Sequence, residues 1–440
     1  MTRFIAATLM IVGLAACSND STQISPTSTA AEPPASTAKL VDPARLNSAL
    51  SGLVDSGALV GVSALVYEDD GEAYFGAFGL ADREAERPID RDTLVQIFSM
   101  TKPITGVALM TLYEEGKFQL DDPIAKYAPE FADLRVYAGQ DSNGAAKYEA
   151  PRRAVTIRDF MRHTAGLTSS DGGETPVGAL YREADPMNRE NTLSEMAKRL
   201  GSVPLLYQPG TRWLYGPSVD VQAFLVERIS GEPFDEFLQK RIFDPLGMNN
   251  TRYVVSEEDR ARLAAVYRWN DDGTFTRIPD EEAFAFNSKQ WPLTPGGWGL
   301  VSTLDDYMRF ARMLLNEGEL DGARIVSAES VRLMATDAMP PEVTDKSWLP
   351  TKGQVGFGID FAVRIEPPAN SEEASGVVGE FFWDGAANTL FWVDPANDIA
   401  AVLFTQYREF GKVPLHKAFR DAVYADDPAA SALNKGEETS

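Results

Sequence analysis

Histidine and cysteine are nearly absent. The 440 residues include two of the first, His163 and His416, and one of the second, Cys17. Zinc fingers, His-rich zinc hydrolases, Cys-ligated iron–sulfur clusters and disulfide scaffolds are thereby excluded. Basic residues are also short. Lys plus Arg is 41 against 65 Asp plus Glu, a formal net charge of −24. Such a balance argues against a basic face for holding nucleic-acid phosphates or anionic lipid. The G-x-S-x-G elbow, the Walker A loop, H-E-x-x-H and G-x-G-x-x-G are missing as well. No metal or organic cofactor is implied. What is present is the composition of a packed globular protein, 44% hydrophobic and 10% aromatic.

Residues 1–16 read as an export signal: Arg3, then an uncharged apolar run too short to span a bilayer. The run ends in Leu14-Ala15-Ala16-Cys17, which resembles a bacterial lipobox. Cys17 would then carry lipid and be the first mature residue. Residues 17–41 are rich in Ser, Thr, Ala and Pro and read as a flexible tether. In the lipoprotein pattern, Ser18 after the Cys implies the outer membrane, facing the periplasm. The lipid would be the only membrane attachment. Residues 42–424 read as one folded domain, with a helical lobe at roughly 100–295, and 425–440 as a polar tail.

Periodicity suggests strands at Val60–Glu68 and Glu72–Leu80, joined by an Asp69-Asp70-Gly71 turn. Helices are expected at Lys102–Glu115, Val219–Ile229, Phe234–Ile242, Asp305–Leu315 and Leu415–Tyr424. Further strands are expected at Val355–Val363, Val377–Trp383, Thr389–Val393 and Ile399–Thr405. The predicted fold class is α+β: a sheet assembled from both chain ends, flanked by helices, with a mainly helical insertion. A site is expected in the cleft between the two parts.

With two histidines, each at a helix end and each read as structural, acyl-transfer chemistry needs another base. Ser99-Met100-Thr101-Lys102 offers one, because positions i and i+3 share a helix face. A solvated lysine, with a pKa of about 10.4, is no base at neutral pH; burial in a cleft lowers it. Ser99 at a helix start would also lie beside unpaired backbone N–H groups. Spacing alone does not decide the matter, since Ser36-Thr37-Ala38-Lys39 in the tether matches too.

Phe98-Ser99-Met100-Thr101-Lys102-Pro103-Ile104-Thr105-Gly106 resembles the nucleophile segment of the serine β-lactamase-like superfamily, and most of all its class C-like esterases, the family VIII carboxylesterases. Similar segments follow in family order: Thr156 to Leu167, Trp213 to Val221 around Tyr215, Pro245 to Met248 with Thr251, Gly297 to Thr303 with Asp306 and Tyr307, and Trp383 to Ala387. The resemblance runs from about Leu46 to Gln406. It implies Ser99 as acylated nucleophile, with Lys102 and Tyr215 sharing the role of base. It implies the backbone N–H groups of Ser99 and Ala386 as oxyanion hole, the latter on an edge strand. It places Trp383, Asp384 and Gly385 against the substrate.

Two departures bear on that substrate. Trp383 and Asp384 stand where many relatives carry a cation or hydroxyl, and Pro217 stands where many β-lactamases carry an amide-binding Asn. Strand alternation suggests that Asp384 faces away from the cleft. The implied activity is a serine hydrolase of short, uncharged carboxylic esters, with Trp383 as an aromatic wall. A class C-like β-lactamase, a D-amino-acid peptidase, an acyltransferase and a non-catalytic envelope binding protein stay open. The partner is a small ester or amide; no oligomeric state can be read.

Overall fold

The computed structural model describes residues 39–168 and 172–430. The leader, Cys17 and most of the tether lie outside the described residues, as does the end of the tail.

The described chain opens with helix α1, Pro43–Asp55, which the periodicity did not suggest. Asp42 caps it by accepting the Ala44 N–H at 2.9 Å, with proline at the first helical position. Only Leu46 and Leu50 of α1 are fully buried, too thin a stripe to stand out in the sequence. Strands β1, Gly61–Glu68, and β2, Gly71–Asp82, form a hairpin. Asp69 and Asp70 turn it, both in the left-handed region at φ 51° and 58°, as a two-residue turn of this hand requires. Strand β3, Arg87–Pro88, completes that edge.

The rest of the sheet comes from the other end of the chain: β4 (Val355–Phe357), β5 (Ala362–Arg364), β6 (Phe381–Asp384), β7 (Leu390–Asp394) and β8 (Ile399–Phe404). The order is β4-β5-β6-β7-β8-β1-β2-β3, all neighbours antiparallel. The two ends meet where β1 pairs with β8, from Ser63 opposite Phe404 to Glu68 opposite Ile399. Every residue of β7 and β8 is buried, because both faces are covered. Phe391 meets Tyr307 and Phe310 of helix α5 (Leu304–Leu315) edge-on on one face. Its neighbour Trp392 meets Phe419 of helix α6 (Leu415–Val423) and Tyr424 on the other.

Two expected strands are corrected. Val355–Val363 is a hairpin, β4 turning into β5. Gly358 sits so close to the Met334 carbonyl that a Cβ would collide with it, and Asp360 is left-handed at φ 57°. Val377–Trp383 becomes extended only at Phe381, because Gly379, at φ 95°, turns the chain first. The helix expected over Phe234–Ile242 passes into a π turn at Gln239–Phe243 before stopping at Gly247.

Between the sheet halves run helix α2 (Thr101–Glu114), the short α3 (Ile157–Met161) and α4 (Ser218–Ser230), with α2 packed on α4. Twelve of the fourteen α2 residues are buried, so α2 is a core helix, and any side chain in its first turn is shielded from water.

Candidate active site

The residue before Ser99 is strained. Phe98 has φ 45°, a region that bulky side chains avoid at a cost of roughly 1–3 kcal/mol. Its flanks hold it there. The Ile97 N–H donates to Leu300 O at 3.0 Å, Met100 N–H to Ile97 O at 3.0 Å, and the Tyr307 hydroxyl to Met100 O at 2.8 Å. Ser99 therefore sits in a tight turn, Phe98–Met100, directly before α2.

Lys102, only 5% exposed, donates to the Gly297 carbonyl at 2.6 Å and to Ser99 Oγ at 3.2 Å. Its ammonium stands 4.5 Å from the centre of the Tyr215 ring, within cation–π range. The three residues thus meet, though Tyr215 meets Lys102 through its ring face. The Tyr215 hydroxyl accepts from the Trp383 indole N–H at 3.3 Å. Among the described residues no hydrogen bond joins that hydroxyl to Ser99 or Lys102.

Behind Lys102 lie two acids that the sequence reading gave no role. Asp220 on α4 accepts the Gly297 N–H at 3.0 Å; burial pushes its carboxyl up to about 6. Asp360 lies over Gly106 of α2 and accepts from Gln222 at 3.0 Å; burial raises its carboxyl well above the usual carboxylate range. Asp220 and Gly297 both lie in segments that carried the family resemblance, and that was their only signal.

Neither histidine touches Ser99 among the described residues. His163, at φ 58°, is buried against Tyr215 with ring centres 4.9 Å apart, and neither ring nitrogen has a hydrogen-bond partner. Burial, with a smaller push from Lys102, holds it well below the usual imidazole range and keeps it neutral. His416 Nε2 bonds to the Asn388 carbonyl at 2.9 Å on the far side of the β6–β7 turn, and burial pushes its pKa down to about 4.

Ser99 opens into a cavity of about 690 Å³ whose lining includes Phe98, Tyr215, Trp348, Lys352, Trp383, Asp384, Ala386, Arg408 and Phe410. Two expectations are corrected here. Ala386 lies in the turn after β6, not on an edge strand, and β6 is third from the sheet edge. However, β5 pairs only with Phe381 and Phe382, so the end of β6 has no strand neighbour on that side. The N–H groups of Ser99 and Ala386 donate to no acceptor among the described residues. Asp384 borders the cavity only at its edge: with Phe382 it lines a second pocket beside His416 and Arg420 that Trp383 does not reach, so alternation turns it away from the Trp383 wall as expected. It is ion-paired with Lys352 from the turn Leu349–Lys352. Gly385 does not line the cavity. It lets the β6–β7 turn approach the nucleophile segment, since a Cβ there would stand 2.5 Å from the Ile97 carbonyl.

Lys352, Trp348, Arg408 and Phe410 were missed by the sequence reading; they come from irregular segments that carry no motif. Chemically, the arrangement offers a hydroxyl beside an amine, two free N–H groups and an aromatic wall, a set suited to acyl transfer.

Comparison with known proteins matches the chain to the Beta-lactamase family model over residues 46–425. An uncharacterized protein of Mycobacterium tuberculosis (strain CDC 1551) is 35% identical over 358 residues, covering 80% of this chain and 87% of its own length. Esterase EstB of Burkholderia gladioli is 30% identical over 406 residues, covering 87% and 95%. Among solved structures EstCE1, a hydrolase with promiscuous acyltransferase activity, superposes with a TM-score of 0.70 at 25% identity, covering 87% of this chain and 98% of its own.

Proposed function

The chain belongs to the beta-lactamase family, and on that premise we propose that it is a serine hydrolase cleaving carboxylic esters through an acyl-enzyme on Ser99. The observation that carries this is the 3.2 Å contact between Ser99 Oγ and Lys102 Nζ at the floor of an aromatic-walled cavity. In the first step Oγ attacks the ester carbonyl carbon, and its proton passes to Lys102, which must be in its neutral amine form to receive it. The oxygen that gains the negative charge is received by the Ser99 and Ala386 N–H groups. Collapse breaks the bond to the alcohol oxygen, which leaves with the proton. Water repeats the sequence on the acyl-serine and releases the acid. Lys102 stays in place because Gly297 O holds it, and Gly297 is itself held by Asp220.

Turnover of p-nitrophenyl butyrate tests the reading. Ser99→Ala should lose activity by at least roughly a thousandfold; a variant with wild-type turnover refutes it. An esterase among the relatives supports an ester over a β-lactam, and nitrocefin turnover equal to ester turnover would reverse that preference. A second reading, acyl transfer to an alcohol, is supported by the acyltransferase side activity of EstCE1. It predicts a new ester product when an alcohol is added.

We also propose that the chain is exported and anchored by lipid on Cys17. No helix among the described residues is long and apolar enough to cross a membrane. A Cys17→Ala protein found in the soluble fraction supports the anchor, and one still in the membrane fraction refutes it.

A further inference from the structure

Arg408 is a cation in the cavity wall with nothing to hold. It lies on the short strand Tyr407–Arg408, which pairs in parallel with Tyr267–Trp269. Tyr407 is buried in the core, and alternation sends Arg408 the other way, into the lining that Ser99 shares. Its Nε is buried without an acceptor, a costly state for a charged donor. Among the described residues its guanidinium has no carboxylate, no carbonyl and no aromatic face as partner.

This is not for want of acids, which outnumber bases 65 to 41. The other charges of the cavity are engaged. Lys352 and Asp384 neutralise each other. Glu409, next in sequence, accepts the Trp269 N–H at 2.8 Å and lies 3.9 Å from Arg268. Arg408 is the charge left over, beside an apolar wall of Trp348, Trp383 and Phe410. Trp348 and Phe410 are 39% and 48% exposed at its rim.

Resting on the reading of Ser99 as nucleophile, we propose that Arg408 is a specificity-determining subsite for a carboxylate on the substrate. The substrate class is then an apolar ester that carries a free carboxylate away from the bond cleaved, not the uncharged ester that Trp383 and Pro217 suggested. A planar guanidinium presents paired N–H donors that match a carboxylate edge, and the aromatic wall takes the apolar body.

Three esters test this: p-nitrophenyl butyrate, neutral; mono-p-nitrophenyl glutarate, with the carboxylate on the acyl side; and 4-carboxyphenyl butyrate, with it on the alcohol side. Each is measured with wild type, Arg408→Lys and Arg408→Ala. For at least one anionic ester, the ratio of its kcat/KM to that of the neutral ester should fall roughly tenfold or more in Arg408→Ala, mainly through KM. Arg408→Lys should retain part of the ratio, and high salt should erode it in wild type. Circular dichroism and thermal unfolding matching wild type show that each variant is folded. Ratios unchanged within about threefold for both anionic esters overturn the subsite. Ser99→Ala separates the two claims, since an inactive Ser99 variant with unchanged Arg408 ratios leaves the nucleophile standing and removes only the carboxylate.

Discussion

The Asp220 carboxylate and the Gly297 N–H are 3.0 Å apart, so a buried acid fixes the glycine whose carbonyl holds Lys102 at 2.6 Å. Asp220→Asn keeps an acceptor for that N–H and removes the charge. The folded carboxyl titrates at about 6, raised by burial, so the folded chain binds the extra proton between pH 4 and 6. Stability therefore falls across that range and stays lower above it, by about 3 kcal/mol at most. Asp220→Asn should unfold at higher temperature than wild type at pH 8 and lose the advantage at pH 4. In activity, the wild-type inflection near pH 6 in log kcat/KM should vanish, with a loss of roughly tenfold above it. An inflection that persists in the variant assigns it to another group.

His416 works in the opposite direction. Burial holds its folded pKa at about 4, below the unfolded imidazole. Its contribution is whole above about pH 6.5 and is lost as pH falls towards 4. Of the wild-type loss in stability between pH 7.5 and 5, about 2 kcal/mol should disappear in His416→Gln. Urea midpoints at the two pH values measure it, and equal acid slopes in both proteins contradict it.

Gly106 shows a contact overruling propensity. Alanine in mid-helix gains about 1 kcal/mol over glycine. Here the added Cβ would stand 2.6 Å from Asp360 Oδ2, an overlap that costs about 1–3 kcal/mol in a packed core. Gly106→Ala should therefore destabilise, and the Asp360→Ala background should recover much of the loss in thermal unfolding.

The Lys352–Asp384 pair, with side chains 7% and 11% exposed, should be worth little as a pair and much as an accident. Lys352→Met or Asp384→Leu alone leaves a buried charge and should cost about 3 kcal/mol. The double variant should recover most of it in a chemical-denaturation cycle; strictly additive losses would show the two side chains act separately.

Legibility followed the locality of the forces. The β1–β2 hairpin was readable from Asp69-Asp70-Gly71, and α2 from a run of apolar residues closed by Gly116, because both are fixed within a few neighbours. The meeting of Ser99, Lys102 and Tyr215 was readable only through family resemblance, since no local rule brings residue 215 to residue 99. Lys352 and Arg408 were invisible, being placed by the tertiary packing of irregular chain. Helix Leu193–Ser202 was missed although Thr192 and Glu195 spell a capping box. Asp384 was placed by the period of two, which sets it on the Phe382 face and Trp383 on the other.

The join between β1 and β8 has a consequence for how the molecule is made. A ribosome that has delivered residue 88 has released β1 with its outer edge bare, and the strand that covers it is not synthesised for another three hundred residues. The sheet therefore closes only after translation is almost complete. Until then, holdase chaperones have a long interval in which to keep the emerging polypeptide from pairing that edge with a stranger.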